Sequence, residues 1–318
     1  MPLPQQLRGR LKLPVIAAPM FLVSGPDLVV AACQAGVIGG FPALNQRSTE
    51  GFDDWLTQIE GRLTPAHAPY GVNLIVHNTN PRLEADLQVC EAHEVPLIIT
   101  SLGALADLVD RVHAYGGLVF HDVTTLRHAR KAAEAGVDGL ILVCAGAGGH
   151  AGVVSPFAMV PEVRAFFDGA IILSGCISDG RGVAAAETMG ADLAYLGTRF
   201  IATTESMAPA DYKAMLCDSA AADIVYTPAI SGVPASFLRQ SLINAGLDPA
   251  NLPTKKDINM GEELDSESKA WKNIWSAGQG VGSVSDVPGT AELVARLDRE
   301  YRCAIEQAAG RLTAAAAE

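Results

Sequence analysis

The chain has no Cys-x-x-Cys pair. Its six cysteines (Cys33, Cys90, Cys144, Cys176, Cys217 and Cys303) stand far apart, a spacing that suits separate thiols in a reducing compartment better than disulfides or a zinc site. An excess of positive charge is also missing. Lys plus Arg number 23 against 35 Asp plus Glu, for a net charge of −12, and that balance repels nucleic acid and anionic membranes. No apolar run approaches the ~18–20 residues that span a bilayer. The opening segment MPLPQQLRGRLKLPV has basic residues but no continuous apolar stretch after them, so it is not read as a secretion signal. Aromatic residues are scarce, at 6%, yet apolar residues make up 49% of the 318. A large core must therefore be mostly aliphatic. The expectation is a cytoplasmic globular enzyme.

Short apolar runs recur, each followed by an Ala/Leu-rich amphipathic stretch. In order they are LPVIAAPM, GVIGGFPA, YGVNLIV, VPLIITS, LVFHDV, DGLILVC, AIILSG and DLAYLGTRF. Nearly continuous apolar runs fit strands covered on both faces. The segments between them, such as DLVDRVHAYGG and RHARKAAEAGVD, read as helices closed by a glycine. Eight strand–helix units in about 200 residues match a (β/α)8 TIM barrel. A doubly wound open sheet is the alternative. After the eighth run the pattern breaks, and Trp271 and Trp275 are read as lying on one helical face, anchoring a small subdomain. From Pro288 an amphipathic helix, AELVARLDREYRCAIEQAAG, resumes. Residues 1–204 and 284–318 are thus assigned to the barrel, and 205–283 to a small, mainly helical insertion roofing its C-terminal mouth.

Barrel active sites lie where the strands end. After the seventh and eighth runs, backbone N–H groups at Gly175, Cys176, Gly197 and Thr198 are placed to meet a phosphate, and glycine allows it a close approach. The sixth run leads into CAGAGGHAG. That loop fits a dinucleotide fingerprint only loosely, because no acidic residue ends the next strand to hold a ribose. What remains is His150 in a loop almost free of side chains, where an imidazole can exchange protons near neutral pH. His77 and His121 are weaker candidates for hydrogen bonds to a cofactor, a carbonyl or water. A metal site from His77, His121 and His150 is open on spacing, but clustered carboxylates are missing, and no metal is expected. Cys176 has no base beside it in sequence and is read as a packing residue.

Together these residues resemble the nitronate monooxygenase family (the former 2-nitropropane dioxygenases), FMN-containing (β/α)8 proteins. The resemblance runs from PVIAAPM through GVN, AGGHAG, SGCISDGRGVAAAETMGAD and YLGTRF to WSAGQGVG. It implies that His150 is the catalytic histidine, acting as base or anion stabiliser. It implies flavin contacts at Met20, Asn73, Gly148, Gly175, Leu196, Gly197 and Thr198, with Gln279 and Gly280 from the returning insertion. Cys176 stands where the phosphate loop has its second glycine. The family's Gln-Gly-x-Glu-Ala is replaced by Val143-Cys144-Ala145-Gly146-Ala147. The implied reaction is oxidation of alkyl nitronates, or nitroalkanes, with O2 to carbonyl compounds and nitrite. The implied partners are that small molecule and O2, with a homodimer allowed. The alternative is an NAD(P)H-dependent flavin reductase of the quinone or enoyl-acyl-carrier-protein type on the same scaffold. A flavin-binding protein without turnover would have little use for His150.

Overall fold

All eight apolar runs become parallel strands in a computed structural model, which describes residues 3–103, 106–252 and 273–315. The described strands are β1 (Val15–Ala17), β2 (Ile38–Pro42), β3 (Tyr70–Ile75), β4 (Leu97–Ser101), β5 (Leu118–Val123), β6 (Gly139–Val143), β7 (Gly149–His150), β8 (Ala170–Ser174), β9 (Leu193–Leu196), β10 (Ile224–Thr227) and β11 (Ala235–Leu238). The eight from β1 to β6, with β8 and β9, close into a barrel. Its seam pairs Val15 with Ala194 and Ile16 with Tyr195. The open sheet is excluded.

Alternation along each strand divides the core in two. Ile16, Ile38, Leu97, Ile99, Phe120, Ile141 and Ile172 fill the barrel interior. Val15, Val72, Ile98, Val119, Leu140 and Ile171 belong to the cluster between sheet and helices. Gly139 shows how tight the interior is. A Cβ there would lie 2.5 Å from the Phe120 ring, so the missing side chain is the space the phenyl group occupies.

The outer layer contains α1 (Pro26–Ala35), α2 (Thr49–Glu60), α3 (Leu83–Ala92), α4 (Ala106–Ala114), α5 (Leu126–Glu134), α6 (Pro156–Arg164) and α7 (Gly180–Thr188). Ser48, Thr125 and Asp179 start α2, α5 and α7 by accepting the N–H of Gly51, His128 and Gly182, which satisfies orphan donors. After β9 come α8 (Thr198–Ile201), α9 (Ala210–Cys217), α10 (Arg239–Asn244) and the long α11 (Thr290–Ala315). Helix α11 closes the ring against α7. Gly180 permits that contact, since a Cβ on it would sit 2.2 Å from the Leu297 carbonyl.

The segment between α8 and α11 is pinned at both ends. Buried Arg199 donates to Asp286 at 2.8 Å, and Arg296 holds the other oxygen of the same carboxylate at 2.6 Å. Glu205 accepts from the backbone N–H and hydroxyl of Thr290. Within this segment β10 and β11 form a hairpin, and β11 pairs antiparallel with β7 of the strand-six loop. The sequence reading did not foresee this hairpin, because two four-residue strands carry too little periodicity to register. Trp275 is not helical. It lies in an extended stretch next to the Ser276–Phe237 bridge and stacks on Tyr212 at 4.9 Å between ring centres. Trp271 lies outside the described residues. No described helix is long and apolar enough to cross a membrane.

Candidate active site

The C-terminal ends of the strands surround a cavity of about 810 Å³, near the upper end of the ~300–1,000 Å³ typical of small-molecule sites. Nine of the residues named from sequence line it: Met20, Asn73, Gly148, His150, Gly175, Cys176, Gly197, Thr198 and Gly280. Two do not. The Leu196 side chain is part of the core between sheet and helices, because strand alternation turns it away from the interior. Gln279 is exposed and reaches the site's edge at Gly146, whose carbonyl accepts its backbone N–H at 2.8 Å.

The floor is a short polar chain at the last inward positions of β3, β4 and β5. Asn73 Nδ2 donates to the Ile99 carbonyl at 3.1 Å and to Ser101 Oγ at 2.8 Å. Ser101 Oγ in turn donates to Asp122 Oδ2 at 2.6 Å. The other carboxylate oxygen, Oδ1, is covered and has no hydrogen-bond partner among the described residues. Burial pushes the Asp122 carboxyl up to about 6, against the opposing help of Ser101. The Tyr195 phenol is raised first by burial and then by the Asp122 charge. His121, the neighbour of Asp122 on β5, accepts or donates at Thr100 Oγ1 over 2.7 Å. Burial lowers it to about 4, and His128 and Lys131 add to the effect. His77 is held at Thr79 Oγ1, 2.8 Å away. The three histidines do not form a ligand set. Among the described residues no group of three or more His, Cys, Asp or Glu could hold a metal ion.

One wall is made by the turns after β8 and β9. Gly175 has φ +138°, a backbone that favours glycine, and Cys176 follows at φ +56°, a strained value for a residue with a side chain. The N–H groups of Gly175, Cys176, Gly197 and Thr198 donate to no acceptor among the described residues. A Cβ on Gly197 would meet nothing nearer than the Met20 sulfur at 3.7 Å, so that turn opens onto the cavity. Open N–H groups from two adjacent turns fit a phosphate. Partial burial raises the Cys176 thiol, which keeps it protonated, but the residue is exposed on the cavity wall and is not the packing residue expected from sequence. The returning chain closes on both turns: Gly278 N–H donates to Thr198 Oγ1 at 2.9 Å, and a Cβ on Gly280 would lie 3.1 Å from the Cys176 carbonyl carbon.

The roof carries His150. The loop around it is not bare, as its sequence suggested, but the short strand β7, with His150 opposite Ala235 and Gly149 opposite Ser236. Gly149 N–H donates to Ser276 Oγ at 2.8 Å. His150 Nε2 lies 3.2 Å from Ser231 Oγ, and that hydroxyl donates to the Val233 carbonyl at 2.9 Å. With its hydrogen committed, Ser231 is placed to accept from His150 Nε2. Burial lowers the His150 pKa, so the ring is neutral near pH 7. Asp122 and Ser231 were not identified as site residues from sequence. Asp122 sits at the end of a strand, where a signal was present. Ser231 lies 81 positions from His150, and nothing local marks it.

The nitronate monooxygenase family pattern matches residues 7–300. The chain is 30% identical to a nitronate monooxygenase of Paraburkholderia phytofirmans, over 92% of this chain and 93% of that one. It is 29% identical over 73% of its length to a (3aS,4S,5R,7aS)-5-hydroxy-7a-methyl-1-oxo-octahydro-1H-indene-4-carboxyl-CoA dehydrogenase of Rhodococcus jostii, of which 64% is covered. Among solved structures, a nitroalkane oxidase from Streptomyces ansochromogenes superposes with a TM-score of 0.81 at 25% identity, over 95% of this chain and 99% of that one. The barrel, its glycine-rich turns and these matches place the chain in the nitronate monooxygenase family of oxidoreductases.

Proposed function

We propose that the protein binds FMN in the barrel mouth and oxidises alkyl nitronates, and nitroalkanes through them, to carbonyl compounds and nitrite with O2. The observation carrying this reading is a neutral histidine on the roof of a cavity whose wall presents two phosphate-fitting turns. Bound there, FMN would supply the electron acceptor and the reactivity toward O2. Its phosphate would be held by the N–H groups of Gly175, Cys176, Gly197 and Thr198, with Met20, Asn73, Gly148 and Gly280 around the rest.

The chain's own contribution is proton handling and shelter. His150 takes the α-proton of a nitroalkane on its imidazole, and the resulting imidazolium faces the nitronate anion. A lowered pKa makes it available as a base rather than as a standing cation. Segment 205–283 acts as the lid, and its hairpin holds β7 over the site. Cysteines that are all free fit a cytoplasmic setting, and a homodimer is compatible with this arrangement.

The second reading, an NAD(P)H-dependent flavin reductase, is favoured by the cations Arg127, His128 and Lys131 in the cavity lining. Anaerobic mixing tests both. Propyl nitronate should bleach the flavin absorbance within the turnover time. Bleaching by NAD(P)H alone, with no response to propyl nitronate, would replace the first reading by the second.

A further inference from the structure

The cavity does not end at the barrel mouth. Its lining continues past the β5–α5 turn to Arg127, His128 and Lys131 on α5. All three side chains are exposed. None is in an ion pair or side-chain hydrogen bond among the described residues. Arg47, Arg181, Arg239 and Arg299 are also without an ion pair among the described residues, but the cations that line the cavity are Arg127, His128 and Lys131. Their placement is electrostatically unfavourable within the helix. Arg127 and Lys131 are like charges at i and i+4, and Arg127 and His128 occupy the first turn, where the helix dipole disfavours cations. The one other cation of α5, Arg130, is engaged over the Phe166 ring at 4.1 Å.

The positive field reaches the cavity wall, because His128 and Lys131 both add to the lowering of His121. Asp122 is the one carboxylate among the lining residues, and it lies on the floor, at the end of the polar chain. On either side of α5 the rim is apolar and open: Leu102, after β4, is 44% exposed and Val153, after β6, 73%. Large apolar side chains left in solvent beside a deep cavity mark a ligand surface.

Resting on the flavin-site reading above, we propose that this site takes a second ligand with a phosphate-bearing anionic arm. Its reacting end enters the mouth, an apolar stretch crosses Leu102 and Val153, and the phosphates meet Arg127, His128 and Lys131. A nucleotide phosphate ester has this chemistry, and it can come from two sources: a phosphorylated nicotinamide dinucleotide acting as reductant, or a coenzyme A-type thioester acting as substrate.

The test is calorimetry on the holoprotein with excess FMN, so that the phosphate turns are filled. The probes are adenosine 3′,5′-bisphosphate, adenosine 2′,5′-bisphosphate and adenosine. At least one bisphosphate should bind about tenfold or more tighter than adenosine, the gain of one or two charge-assisted contacts. The Arg127→Ala/Lys131→Ala double variant should lose that gain while keeping its FMN content and its turnover of propyl nitronate. Preference for the 3′,5′ isomer assigns the arm to a thioester, and preference for the 2′,5′ isomer to the reductant. Bisphosphates binding no tighter than adenosine, or unchanged binding in the double variant, overturn the proposal. Absence of bleaching by propyl nitronate would instead count against the nitronate reading and leave the calorimetric result standing.

Discussion

In the lower half of the barrel the inward positions are Ile16, Ile38, Leu97, Ile99, Phe120, Ile141 and Ile172, all fully buried. One inward step further, β4, β5 and β8 present Ser101, Asp122 and Ser174, with Asn73 of β3 and Tyr195 of β9 beside them. Backbone, register and neighbours are continuous across that step, and only the side chains change. The lower layer excludes water and stabilises the closed sheet. The upper layer holds polar groups, one of them a carboxylate at odds with its surroundings, and spends stability on a binding surface. A barrel can separate these duties because two positions on one strand are only ~7 Å apart yet belong to different layers.

The largest effect should come from the roof over the upper half. His150→Asn keeps a side chain of similar bulk but removes the base, so nitroalkane turnover should fall by about 10²–10⁴. Oxidation of a preformed nitronate should fall much less, since its proton is already gone. The same residue sets a pH limit. A base must be deprotonated, and burial lowers this one, so the acid limb of nitroalkane oxidation should lie below the ordinary histidine range. Equal small losses on both substrates in steady-state assays would make His150 structural.

Next in size is a change in the lower half. Phe120→Ala empties the space that Gly139 leaves for the ring and should cost about 3–5 kcal/mol of stability, as measured by denaturant unfolding. The Michaelis constant for nitronate in the still-folded fraction should be unchanged. A comparable loss of catalysis would show that the two layers are not independent.

The smallest effect has the opposite sign. The Asp122 carboxyl is raised to about 6, so between the usual carboxylate range and pH 6 the folded state binds more proton than the unfolded. Its contribution to stability is present at low pH and lost as the pH rises through about 6. Asp122→Asn should therefore stabilise the protein at pH 7 by about 1–2 kcal/mol, allowing for solvent in the cavity. It should also flatten the pH dependence of unfolding between pH 4 and 7. A destabilised variant would mean that the charge is compensated in the folded state.

The barrel was legible because each strand is a short apolar run and each helix has its own start and stop. LVFHDV followed by RHARKAAEAG already contains strand, Thr-capped helix and closing glycine. The two turns with open N–H groups were legible for a similar reason, since Gly175, Cys176, Gly197 and Thr198 directly follow strand ends. That the Leu196 side chain turns away from the cavity by one step of strand alternation, and that Gln279 is exposed, was not legible from local sequence. The β10–β11 hairpin was missed because its strands are short and gain their order from β7, which is distant in sequence.

Local chemistry is what the amino-acid order determined by itself: which runs extend, which coil, where the chain can turn tightly, and that a histidine lies in a glycine-rich loop after the sixth strand. Tertiary structure decided which of these groups share a solvent-poor space. Ser231 reaches His150, while burial lowers that ring and raises Asp122. Protonation and hydrogen-bond direction depend on desolvation and on partners brought in by folding, and neither is a property of a residue's place in the chain.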